Sequence, residues 1–203
     1  RKSHWHKNGE LEMGDKSTQK KQYIIEKAKG VFIKRGYKDV TMKDIVEECQ
    51  ISRGGLYLYF ANTKELFEAV LEQQMQHTKG RYEKALEQDA TPGEKLLIYL
   101  DICKSELLAG DNFITATYEY LFTGDADNPV SRYRKEEEQL LENLIAEGVA
   151  REWMNCDDPK TAAAVITCAI EGLKVAAVTT GITEKAVDDA IDYIMGTLGL
   201  EIE

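Results

Sequence analysis

The sequence predicts an all-α chain, with a small helix-turn-helix head at its N-terminal end and a larger helical body behind it. Three observations carry that prediction. Apolar residues recur at intervals of three and four, no segment alternates with the period of two that a half-buried strand needs, and Gly, Pro or a capping residue bounds each periodic stretch. A chain of 203 residues with 43% apolar and 31% charged residues can bury a core without disulfides or metal, which excludes a disordered protein.

The elements follow in order. Residues 1–15 (RKSHWHKNGELEMGD) are polar and lack periodicity, and Met13 is a candidate native start, so they read as a disordered or appended leader; its His4 and His6 carry no more than an opportunistic metal pair. From Ser17, an expected N-cap, Tyr23, Ile24, Ala28, Val31 and Phe32 form the stripe of a first helix that Gly36 stops. Thr41 followed three residues later by Asp44 opens a short second helix over Ile45, Val46 and Cys49. Ser52 caps a third, expected over Arg53 to Phe60, and Thr63 opens a long fourth running past Tyr82. After Thr91-Pro92-Gly93, five further helices are expected at about 93–109, 112–123, 129–149, 159–180 and 184–198.

Charge divides the chain. The formal net charge is −10, which argues against a polyanionic partner until it is resolved by segment. The leader is neutral, residues 16–66 hold eleven bases against six acids for +5, and residues 67–203 hold twelve bases against twenty-seven acids for −15. The basic head suits phosphate and the acidic body does not. Cys49, Cys103, Cys156 and Cys168 form no paired spacing and read as reduced thiols, and His77 is the one histidine beyond the leader. Neither a His-based triad nor a multi-His metal site can be assembled from the folded region, so no catalytic residue, metal or cofactor is expected. The absence of a run of 18 apolar residues points to a cytoplasmic chain with no spanning helix and no membrane partner.

The segment 41–60, TMKDIVEECQISRGGLYLYF, reads as helix, tight turn, helix. Ile45, Val46, Cys49, Ile51 and Leu56 fall where the two helices pack, and Arg53, Gly54, Gly55, Tyr57 and Tyr59 fall on the opposing face. Two glycines in so short a helix cost about 1 kcal/mol each relative to alanine, which points to a surface that something approaches closely. Thr41-x-x-Asp44-Ile45, Ile51-Ser52-x-Gly54-x-Leu56-Tyr57-x-Tyr59-Phe60 and Lys64-Glu65-Leu66 closely resemble the TetR family of transcriptional repressors over about residues 18–70. Gln50 departs from the glycine common in that turn; a left-handed conformation there costs roughly 1 kcal/mol.

The resemblance implies a three-helix DNA-binding domain (16–66) followed by a helical ligand-binding and dimerisation domain (67–203). It also implies a homodimer that blocks transcription from a palindromic double-stranded operator until a small-molecule inducer releases it. DNA contacts are expected from Thr41, Lys43, Ser52, Arg53, Gly54, Gly55, Tyr57, Tyr59 and Lys64. Thr41, Lys43, Tyr59 and Lys64 would meet phosphate, and Arg53 would read guanine or take a phosphate. Phe60 is assigned to the core, Tyr57 has a core position as its alternative, and Lys20 and Lys21 are either phosphate contacts or solvated. Residues 159–180, rich in Ala, Gly and Val, suit a close subunit interface, placed with its neighbour at about 159–198. Tyr99, Cys103, Phe113, Thr117, Tyr120 and Ile170 are the candidates for lining a ligand pocket. An all-helical enzyme and an architectural DNA binder without ligand control stay open at this point.

Overall fold

The structure, a computed structural model, describes residues 6–86, 90–110 and 113–200; of residues 6–15, 85 and 86 it describes the backbone alone. The chain is all-α, with no strand among the described residues: α1 His6–Arg35, α2 Met42–Cys49, α3 Arg53–Tyr57, α4 Thr63–Leu86, α5 Pro92–Leu108, α6 Phe113–Leu121, α7 Pro129–Ala150, α8 Pro159–Thr179 and α9 Glu184–Thr197. Local chemistry sets most boundaries. All three prolines of the sequence stand at the start of a helix (Pro92, Pro129, Pro159), each behind a capping side chain (Thr91, Asn128, Asp158). A proline there surrenders an N–H that would lack a helical partner anyway.

Two boundaries differ from expectation. α1 begins at His6, so it takes in most of the expected leader and holds Ser17 inside the helix rather than at its cap. With no proline before residue 92 and mostly Lys, Gln and Glu between 16 and 29, nothing stops the helix from extending N-terminally. The leader's first five residues, His4 among them, lie outside the described residues. α3 ends at Tyr57, three residues short of the expected Phe60.

Two compact units emerge. The first gathers the chain up to Glu72 and, from far along the sequence, Thr115–Gly124; the second holds Gln73–Ile114 and Asp125–Glu203. The sequence reading divided the chain once, between 66 and 67. In the first unit Ile24, Ala28 and Phe32 of α1, Ile45 of α2, Leu56 of α3 and Leu66, Phe67 and Val70 of α4 are fully buried. In the second, α5 lies against α7, α8 and α9, and α7 pairs with α8. Its core includes Leu96, Leu141, Ile145, Ala163 and Val187.

α8 overturns one expectation. By length and composition it is apolar enough to cross a membrane, and only 22% of its 18-residue apolar window is buried within the chain. Counting uninterrupted apolar residues missed it, because Thr161, Thr167, Glu171 and Lys174 break the run without making the helix polar. Its outward residues include Val165, Val175 and Val178, which are 61%, 43% and 36% exposed.

The turn between α2 and α3 places Gln50 at φ 51° and ψ 44°, the left-handed region. Its N–H closes α2 on the carbonyls of Val46 and Glu47, so the position is fixed by capping. Gln50→Gly should therefore raise the unfolding free energy by about 1 kcal/mol in urea titrations, with the slope against denaturant unchanged. A loss of stability would show that the glutamine side chain contributes more than its backbone strain costs.

Candidate nucleic-acid interface and body cavity

Within the first unit, α2 and α3 are built on two N-caps. Thr41 caps α2 reciprocally: the Asp44 N–H donates to Thr41 Oγ1 at 3.4 Å, while the Thr41 N–H donates to Asp44 Oδ2 at 2.8 Å and its hydroxyl to the same oxygen at 2.6 Å. Arg35 at the end of α1 pairs with the other oxygen of Asp44. The Thr41 hydrogen bonds, with Arg35 adding to them, hold the Asp44 carboxyl below its ordinary range. Ser52 caps α3, its Oγ accepting the Gly55 N–H at 3.0 Å. α4 starts on Asn62, whose Oδ1 accepts the Glu65 N–H at 2.9 Å, and Glu65 returns the contact to the Ala61 N–H at 2.7 Å.

These caps orient one concave surface. A groove of about 460 Å³ is lined by Thr41, Met42, Lys43, Arg53, Tyr57 and Thr63, with Val40 and Val46 at its floor. Four of the nine expected DNA contacts thus share a wall. Lys43 projects with its side chain 83% exposed, and the Arg53 guanidinium lies over the Tyr57 ring at 5.5 Å. Tyr57 is 42% exposed, an outward position rather than a core one. Lys64 stands in the first turn of α4 with its ammonium 3.7 Å from Glu68. Tyr59 lies beyond the end of α3, part-buried, and Phe60 is 1% exposed in the core. Lys20 sits over the Tyr23 ring at 5.1 Å and Lys21 over the Phe60 ring at 5.5 Å.

The two glycines of α3 have different reasons to be there. A Cβ on Gly55 would lie 3.1 Å from Ser52 Oγ, crowding the cap, whereas a Cβ on Gly54 would meet nothing within 4 Å. The fold needs a small residue at 55 and is indifferent at 54. Leu58 went unremarked in the sequence reading: it is 83% exposed directly after α3, four residues on from Gly54. Only exposure marks it, since an apolar residue in an apolar-rich motif reads as core.

A second group that the sequence did not reveal comes from α6. Glu119 Oε2 accepts the backbone N–H groups of Tyr37 at 2.7 Å and Lys38 at 3.1 Å, just past the end of α1. Gly36, at φ +78°, leaves room for it: a Cβ there would come within 2.6 Å of that carboxylate. Tyr120 packs against Tyr37 and Phe67 with ring centroids 5.3 Å from each, and its hydroxyl donates to Glu68 at 2.5 Å.

Three of the six pocket candidates, Tyr99, Cys103 and Ile170, share the buried cluster of the second unit. Tyr120 and Thr117 count with the first unit, where the stacking just described occupies Tyr120, and Phe113 opens α6 in the second. Ile170 is 4% exposed in the core of the second unit. Tyr99 does line a cavity there, of about 170 Å³, with Thr78, Tyr82, Ile102, Tyr133, Glu137 and Leu140 among its walls. Cys103, one turn from Tyr99, is buried behind it, and burial pushes its thiol up to about 12.

Comparison with known proteins fits this architecture. Residues 24–70 match the model of the bacterial regulatory proteins of the tetR family. The matched segment is the helix-turn-helix described above, so the likeness to tetR-family regulators lies in the head of the chain. An uncharacterised HTH-type transcriptional regulator of Bacillus subtilis, YfiR, is 37% identical over 101 residues, 49% of each chain. The HTH-type transcriptional repressor KstR2 of Mycolicibacterium smegmatis is 28% identical over 131 residues, 63% of each. The chain thus spans about half to two thirds of the length of these relatives. The FadR regulator of Bacillus subtilis, solved with stearoyl-CoA, shares the fold at a TM-score of 0.74 and 21% identity, over 87% of this chain and 98% of that one.

The capping box yields a pH dependence. The Asp44 carboxyl titrates below its unfolded value, so its stabilisation is complete above the ordinary carboxylate range and is lost as pH falls through the folded value. Thermal melts from about pH 6 down to about pH 3 should show a falling midpoint, and Asp44→Ala should reduce that fall. Identical pH profiles for both proteins would remove Asp44 from the account.

Proposed function

We propose that this chain is a transcriptional repressor of the TetR family that binds a palindromic operator as a homodimer and is released by a small molecule. The single observation that carries the reading is the groove that sets Thr41, Lys43, Arg53 and Tyr57 on one wall of a helix-turn-helix. In this reading α3 enters the major groove, with Gly54 allowing the helix to approach the base edges. Arg53 reads guanine, and the exposed Leu58 meets a thymine methyl. Lys43 and Lys64 hold phosphates, as does Tyr59. The caps modify two assignments. Thr41 and Ser52 spend their hydroxyl groups on helix ends, so they serve DNA by fixing α2 and α3 more than by touching it.

Dimerisation is proposed through α8 and α9. The valines on α8 and Tyr193 on α9, 76% exposed, form an apolar surface that a lone protomer would leave in water. Small residues between them (Gly172, Gly196) permit a close helix crossing. Two heads at fixed separation then read two half-sites, which is what makes the operator palindromic.

The test is selection of bound sequences from a pool of random duplexes, which reads out DNA binding, palindromy and half-site spacing together. Recovery of no enriched sequence would overturn the reading. On the selected site, Arg53→Ala should cost about 1–3 kcal/mol and relax preference at one base position. Lys43→Ala should weaken all sequences alike and reduce the salt slope by about one unit. Val165→Asp should convert the dimer to monomer in analytical ultracentrifugation and weaken operator binding by at least tenfold; a dimer that persists would place the interface elsewhere.

A further inference from the structure

We propose that the cavity of the second unit, lined by Tyr82, Tyr99, Tyr133 and Glu137, is a site for a small organic cation: a protonated amine on a compact apolar body. The proposal deepens the reading of that unit as a ligand-binding body by naming the class of ligand.

The walls set the class. Among the lining residues three carboxylates, Glu83, Glu136 and Glu137, face one ammonium, Lys79. Lys79 lies 3.4 Å from Glu136, which leaves the wall with an excess of negative charge. Glu137 is the inward member of the three. Its Oε1 accepts the Tyr99 hydroxyl at 3.2 Å, and no ion pair within 4 Å of it is found among the described residues. Arg134 lies 2.6 Å and Lys174 2.9 Å from Glu171, so Glu137 shares the charge of Lys174 with that acid rather than holding it in a pair of its own. Burial accordingly pushes the Glu137 carboxyl above the usual range, with Lys174 pulling against it. A cation entering beside Glu137 favours its charged form.

The tyrosines complete the recognition chemistry. Tyr82 and Tyr99 meet edge to face with centroids 5.8 Å apart, and Tyr133 shares the same walls. Ring faces attract cations most strongly where water is excluded. Burial raises the Tyr82 phenol to about 12 and raises Tyr99 and Tyr133 further, so all three stay neutral donors at neutral pH. Size sets the upper limit. About 170 Å³ is close to the cavity volume that holds one benzene ring. An acyl-coenzyme A, of the kind bound by the FadR protein of the same fold, is far larger and carries phosphates that these carboxylates repel.

Isothermal titration of the whole chain with benzylamine, benzyl alcohol and benzoate tests the assignment, because the three differ in charge at nearly constant shape. Benzylamine should bind at least tenfold more tightly than the alcohol, and benzoate more weakly than either. Glu137→Gln, a change of charge at constant volume, should bring benzylamine and benzyl alcohol to within about twofold of each other. Equal binding of amine and alcohol by the unaltered chain, or preference for benzoate, overturns the proposal whether or not the variant folds. Operator selection on the same preparation separates the two readings. A chain that binds duplex but does not prefer the amine keeps its regulatory role and loses the cation site. One that prefers the amine but enriches no duplex keeps the site and loses the regulatory role.

Discussion

The first unit depends on one carboxylate. Glu119 sits where α1 has ended and the chain turns through Gly36, and it accepts two consecutive N–H groups that have no helical partner. Successive backbone N–H groups beside a left-handed residue make a concavity suited to an anion, and here the protein supplies its own. Several neighbouring choices follow. Gly36 has no alternative, because the carboxylate occupies the space of a Cβ as well as requiring the positive φ. Tyr37, once its backbone is held, lies between Phe67 and Tyr120. Tyr120 in turn places its hydroxyl on Glu68 of α4. α1, α4 and α6 are thus tied at one point, and α2 and α3 rest on the α1 and α4 surfaces that this point fixes.

The helix-turn-helix separates groups that hold the fold from groups that face outward. Asp44, Ser52 and Gly55 are spent on caps, and Gln50 accepts a strained conformation to finish α2. Arg53, Gly54, Tyr57 and Leu58 carry no such duty. An arginine held only over a tyrosine ring, a glycine with open space where its side chain would be and a leucine in water each contribute little to the stability of the isolated chain. They are concentrated within six residues. An isolated departure from folding logic needs no explanation, but four on adjacent turns of one short helix describe a surface shaped for contact.

The helices themselves were legible in the sequence because their signals are local. Thr41 with Asp44, Thr91 with Glu94 and Asn128 with Ser131 each mark a start within four residues, and no tertiary knowledge is needed to read them. The groove residues were legible for a related reason: a five-residue helix between fixed caps leaves few choices of outward face. What escaped was long-range. Nothing in TATYEY marks Glu119 as the partner of a backbone more than eighty residues earlier. Which unit an aromatic residue joins is long-range information too. Tyr120 and Tyr99 are both aromatic residues at inward positions, and periodicity cannot say which unit each faces. Glu137 lies within a run of three glutamates, and its burial comes from the rings of α4 and α5, which the local sequence does not contain.

Net charge needs the same resolution by position. Beyond residue 66 many of the bases are spent in pairs: Lys104 with Glu184 and Asp188, Arg134 and Lys174 with Glu171, Lys185 with Asp189, and Arg151 with Glu147. Most of these are exposed and contribute little to stability. They do consume most of the nearby cations. Where a carboxylate is walled by phenols instead, as Glu137 is, the local potential stays negative in a place with little water to screen it. The total of −10 thus conceals two opposite balances: a basic head with Lys43 and Arg53 on its groove, and a cavity lined by three carboxylates and one ammonium. A polyanion suits the first balance and a small cation the second, and neither preference is visible in the total.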